Sequence, residues 1–192
     1  LALPAANEAP ARQVARPDVG FGVPRGFCDH PFTVRLTPPV DGAAVRWTMD
    51  GSEPTLANGR EYTGPLLITN TTVLRAAAFQ GRARVSAVTT HSYLFLDQVL
   101  HQPEDPPGLP AGPRAWNGYP SAYAMDPRIV DAPLYHDRMK PALQSLPSLS
   151  IVCRKDDLFG ARTGISFHSM ERGESWEKSC SAELILPDGR TG

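Results

Sequence analysis

Half of the chain's 20 prolines lie in one stretch, from Pro103 to Pro147, and they set the first limit on the fold. Proline fixes φ and has no N–H to donate, so a segment this dense in it is neither a long helix nor a central strand. Any regular core must therefore come from the segments on either side. Collagen is ruled out because the 16 glycines follow no three-residue period. Global disorder is disfavoured in a chain that is 41% hydrophobic with a net charge of −1. What remains is one or two loop-rich domains, each with a modest core.

On the N-terminal side, short alternating runs are separated by turn signals. Phe32, Val34 and Leu36 share one face of a first run, and Val45, Trp47 and Met49 share one face of a second. Leu66 to Thr69, Thr72 to Phe79 and Val85 to Phe95 read as further strands, the last with Tyr93 and Phe95 in phase. Asp41-Gly42, Asp50-Gly51, Asn58-Gly59 and Gln80-Gly81 mark the turns. Strands at this spacing, with no helix signal, predict an Ig-like antiparallel β-sandwich over residues 21–96, after a flexible lead-in at 1–20. Residues 97–147 form a Pro-rich connector with one short helix, Pro133 to Leu146, kinked or split at Pro141.

Residues 148–192 read as a mixed segment. Leu149 to Cys153, Gly164 to His168 and Ser181 to Leu186 are expected strands, and Asp156 to Phe159 a helical turn. The segment ends on a hairpin turn without a second strand, which suggests a domain cut short. The expected class is mainly β: a sandwich, a connector and a truncated α+β segment.

The chemistry-bearing residues form no catalytic constellation. Nineteen Lys and Arg balance twenty Asp and Glu, which gives no field to attract nucleic acid. Arg75, Arg82 and Arg84 read as a solvated strand face. No apolar run reaches the ~20 residues of a membrane-spanning helix. Cys28, Cys153 and Cys180 lack metal-ligand spacing; the last two can pair if their strands are neighbours, and free buried thiols are the alternative. The five histidines form no HxxxH pair and read as surface or capping residues. Asp156-Asp157 resembles a helix N-cap. Ser166 and His168 read as a polar strand face rather than a hydrolase elbow. Asn70-Thr71-Thr72 fits a glycosylation sequon, and the reading favoured for a bacterial chain is a turn with β-propensity. No catalytic, cofactor-binding or metal residue is assigned. Only Trp116, Tyr119 and Tyr123, in the connector, are free to form an aromatic surface for a glycan or protein partner.

Two blocks carry a resemblance. Trp47 followed by Asp50-Gly51-Ser52-Glu53-Pro54-Thr55, then Tyr62-Thr-Gly-Pro65 and Thr71 to Phe79, resembles the β-sandwich of the chitobiase/β-hexosaminidase C-terminal domain, also described as fibronectin type III-associated. That resemblance implies an accessory module without catalytic residues. Leu146 to Val152, Asp156 to Gly160, Thr163 to Ile165, Glu171 to Gly173, Trp176-Glu177 and Ser181 to Ile185 resemble the opening of the CotH (spore-coat-protein H) kinase-like family, with departures at Cys153 and Cys180. Met125 to Arg128 is similar to a step in that family's connector. The second resemblance implies an extracellular or envelope location and a bacterial parent, with ATP, a divalent metal and protein hydroxyl substrates. The family's catalytic acids would lie downstream, so none is carried onto this chain. The expected role is non-catalytic and accessory; a carbohydrate-binding module is the alternative. The expected partners are the rest of the parent chain and a cell-surface protein or glycan, with no nucleic acid and no membrane insertion.

Overall fold

The computed structural model describes residues 16–110, 118–188 and 190. Ten short strands come first: β1 (Gly20–Phe21), β2 (Gly26–Phe27), β3 (Phe32–Val34), β4 (Leu36–Thr37), β5 (Ala44–Thr48), β6 (Arg60–Glu61), β7 (Leu66–Ile68), β8 (Thr72–Gln80), β9 (Ala83–Arg84) and β10 (Thr89–Leu94). Helices α1 (Leu96–Leu100), α2 (Pro127–Val130) and α3 (His136–Gln144) follow, then β11 (Ser148–Cys153), α4 (Lys155–Phe159) and β12 (Cys180–Ile185). The protein is mainly β, as the turn-punctuated alternation predicts. No helix among the described residues is long and apolar enough to cross a membrane.

One layer of the sandwich is a sheet in the order β2-β10-β8-β5-β6, with β9 folded onto β8. The opposing layer is built from two small pairs, β1–β4 and β3–β7. The run from Phe32 to Leu36 thus breaks at Arg35, and its halves pair with different partners; the inward alternation nevertheless holds, with Val34 and Leu36 buried. Between the layers lie Val34, Leu36, Val45, Ile68, Leu74, Ala76, Ala78, Tyr93 and Phe95. Val19, ahead of β1, belongs to the same core. The sheet is not wholly antiparallel, because β2 runs parallel to β10, with Tyr93 opposite Gly26.

Several local expectations need correction. Gly164 to His168 is a series of turns rather than a strand. The helix expected from Pro133 to Leu146 is shorter, α3 at His136–Gln144, and buries none of its residues; Leu134 and Leu146 lie outside it and are exposed. Pro141 sits inside α3, where its missing N–H leaves one helical bond unmade. Asp156 and Asp157 do not cap α4: Arg154 occupies the N-cap, without a side-chain bond, and the two acids lie in the first turn. There the helix dipole still favours negative charge. Among the histidines, His91 is half-buried, its ring stacked on Phe21 at 4.1 Å.

Candidate functional site

The motif from Asp50 to Thr55 builds a self-bonded turn at the end of β5. Asp50 Oδ1 accepts from the backbone N–H of Ser52 at 3.0 Å and from its hydroxyl at 2.5 Å. These bonds, the Ser52 hydroxyl foremost, hold the Asp50 carboxyl below its ordinary value. Asn58 donates to Ser52 Oγ at 2.8 Å and to the Glu53 carbonyl at 3.2 Å; Thr55 Oγ1 accepts from the Asn58 N–H at 2.9 Å. Thr48 Oγ1 donates to the Ser52 carbonyl at 2.6 Å, Pro54 is fully buried, and Glu53 pairs with Arg84. Gly51 sits at φ +77°, which glycine adopts without steric cost.

Beside this turn is an open cleft of about 540 Å³, lined by Trp47, Met49, Asp50, Asn58 and Arg60 among others. Trp47 packs on the core edge while its indole N–H is buried without a hydrogen-bond partner. The Arg60 guanidinium lies 5.5 Å from the Trp47 ring centre. That cation–π contact occupies the ring face that a sugar would need for stacking.

The other side of the turn meets the hairpin of β11 and β12. A Cβ on Gly51 would stand 3.3 Å from the Cys153 carbonyl, so β11 presses directly on the motif. Arg75, on the outer face of β8, ties the two units together. Its Nη1 donates to the Gly51 carbonyl at 2.8 Å, Nε to Thr90 Oγ1 at 3.3 Å, and Nη2 to Ser181 Oγ at 3.3 Å. Arg75 is 8% exposed, which corrects its reading as a solvated strand residue. Thr90 Oγ1 also donates to Ser181 Oγ at 2.9 Å.

Further along the seam, Glu183 is 2% exposed. Ser92 Oγ donates to its Oε2 at 2.5 Å, and Arg25 Nη1 lies 3.5 Å from Oε1. The single Ser92 proton is then committed to Glu183, so Ser150, 2.7 Å away, must donate to Ser92. Burial raises the Glu183 carboxyl above its ordinary value, against the opposing pull of Ser92 and Arg25.

This polar seam gives the hairpin an inverted arrangement. Ser150, Ser181 and Glu183 turn toward the sandwich. The alternate positions turn outward, where Leu149 is 61%, Ile151 62% and Leu184 39% exposed. Register places Leu149 opposite Leu184, Ile151 opposite Ala182, and Cys153 opposite Cys180 on that outer face.

Of the aromatic trio, Tyr119 is 74% exposed. The Tyr123 hydroxyl donates to the Pro110 carbonyl at 2.9 Å, which fixes that ring on the connector. Trp116 lies outside the described residues. Among the described residues, no three His, Cys, Asp or Glu side chains are grouped to hold a metal ion. The seam itself escaped the sequence reading. Its only sequence trace is the serine alternation with apolar residues in Ser148 to Val152, which does not say which face turns inward.

Residues 23–90, a little over a third of the chain, match the model of the family described as chitobiase/beta-hexosaminidase C-terminal domain. This span contains the whole Asp50–Thr55 motif and the strands that present it. No curated protein shows significant similarity to the chain.

Proposed function

We propose that this chain is the non-catalytic, accessory part of a larger secreted or envelope-associated protein of CotH-like kinase type. In this reading the sandwich buttresses the first two strands of the following domain. The observation that carries it is the inverted hairpin. A two-stranded sheet is marginal alone, and one with its apolar face outward is built to receive another layer. The match of residues 23–90 to an accessory domain supports the buttressing role and an extracellular setting. Met125 to Arg128 also fits the connector step, with Asp126 capping α2 by accepting from the Arg128 N–H at 2.9 Å.

Among the described residues no three His, Cys, Asp or Glu side chains are grouped to hold a divalent ion. No phosphoryl transfer is assigned to this chain. Calorimetry with ATP and Mg²⁺ is expected to show no binding, and tight binding would overturn the accessory reading. A hydrophobic dye reports on the outer face directly. Ile151→Ser should lower dye fluorescence with little change in stability, because a side chain already in water loses little on truncation. Loss of more than about 1 kcal/mol, typical of a buried site, would mean that the face is already covered.

A second reading, a carbohydrate-binding module, is favoured by the exposure of Tyr119 alone. Glycan-array binding that falls on Tyr119→Ala supports it; binding that survives Trp116→Ala, Tyr119→Ala and Tyr123→Ala together removes these rings as the site.

A further inference from the structure

Cys153 and Cys180 end β11 and begin β12, and they are direct cross-strand partners in an antiparallel pair. Opposed residues in such a ladder have Cα atoms either ~4.5 or ~5.5 Å apart, and both spacings lie within the range that disulfides span. Pleat alternation puts both side chains on the outer face, the same side as Leu149 and Ile151. Both are free thiols, with Cys180 exposed and Cys153 half-buried.

We infer that this pair is a redox modification site, in which a small-molecule disulfide such as oxidised glutathione converts the two thiols into a cross-strand disulfide. The exposed Cys180 thiolate attacks one glutathione sulfur, forming a mixed disulfide and releasing one glutathione thiolate. The Cys153 thiolate then attacks the Cys180 sulfur, forming the internal S–S bond and releasing the second. Two protein thiols are oxidised, one glutathione disulfide is reduced to two thiols, and the two protons go to the departing glutathiones. Burial, then Asp157, then Cys180 raise the Cys153 thiol, against Arg75, so the closing step quickens with rising pH. The bond ties together both ends of the loop from 154 to 179. It also lies at the point where the Cys153 carbonyl meets Gly51, so it fixes the end of the hairpin that docks on the sandwich. The site holds whatever larger protein the hairpin belongs to.

Cys28 supplies the internal control. It sits at the end of β2, its thiol donating to the Gly26 carbonyl at 3.6 Å, far in sequence from the hairpin. The native chain is treated with oxidised glutathione, then alkylated, and analysed by intact mass and non-reducing peptide mapping. The expected result is the loss of two hydrogens, a peptide linking Cys153 to Cys180, and Cys28 left alkylated. Amide exchange in β11 and β12 should slow by at least about tenfold on oxidation, as an entropic clamp on this loop requires. Cys180→Ser should abolish both changes, while Cys28→Ser should leave them intact. A stable glutathione adduct on Cys180 without the internal link, or a linkage through Cys28, would overturn the inference.

Discussion

Replacing Gly51 with alanine tests whether the hairpin presses on the sandwich, because an internal reference exists. Gly42 and Gly51 both follow an aspartate in a turn, at φ +75° and +77°. A Cβ at Gly42 meets open space; one at Gly51 meets the Cys153 carbonyl at 3.3 Å and the Val152 side chain at 3.9 Å. The backbone cost of alanine in the left-handed region is common to both, roughly 1 kcal/mol. At Gly51 the hairpin must also retreat by a few tenths of an ångström. That movement strains the 2.8 Å bond from Arg75 to the Gly51 carbonyl. A bond to a charged donor is worth about 1.5–3 kcal/mol, and partial loss should cost about 0.5–1.5 kcal/mol beyond the backbone penalty. Gly42→Ala should therefore destabilise by about 1 kcal/mol and Gly51→Ala by about 1.5–2.5 kcal/mol. Urea titration followed by tryptophan fluorescence measures both, and amide exchange at Val152 should accelerate only in the second variant. Equal destabilisation by the two variants, with unchanged exchange at Val152, would refute the contact and the docking inferred from it.

Two further outcomes are expected. His91 is lowered from 6.5 to about 4, chiefly by burial, whereas exposed His101 is raised by the Asp97 carbonyl and Asp131. NMR titration should show the two imidazoles moving in opposite directions. Because the His91 value is depressed in the fold, the unfolded chain takes up the proton first. Its contribution is thus complete above pH 6.5 and lost as pH falls toward 4, about 1–2 kcal/mol after allowing for partial exposure. Arg75→Met removes its bonds to Gly51 and Thr90 within the sandwich and the one that crosses the seam to Ser181, and should destabilise by about 2–3 kcal/mol in a urea titration. A loss below about 0.5 kcal/mol, the range of ordinary surface substitutions, would show that Arg75 is solvated after all.

The sandwich was legible in the sequence because its signals are local. Asp-Gly and Gln-Gly pairs announce positive-φ turns, and period-2 alternation names Val34, Leu36, Val45 and Tyr93 as inward-facing. Arg75 was misread because periodicity assigns a residue to a face but not to a cover. Its face is buried only because β12, more than 100 positions later, lies across it. The same holds for Ser92 and Glu183, whose partnership spans distant segments. Gly164 to His168 failed for a different reason. Alternating residues there satisfy their backbone through local turns, such as the Gly164 N–H on the Gly160 carbonyl at 2.7 Å, rather than through a ladder. The parallel pairing of β2 with β10 left no sequence mark, since two residues carry no periodicity.

The polar seam makes the two units unequal in portability. Stripped of the hairpin, the sandwich would present Arg75, Thr90 and Ser92 to water, groups that hydrate at little cost. Stripped of the sandwich, the hairpin would expose Val152 and Ile185 in addition to its outer leucines and isoleucine, and would have apolar side chains on both faces. The sandwich can therefore be transplanted next to a different neighbour without redesign of its core, whereas the hairpin relies on the sandwich to cover Val152 and Ile185.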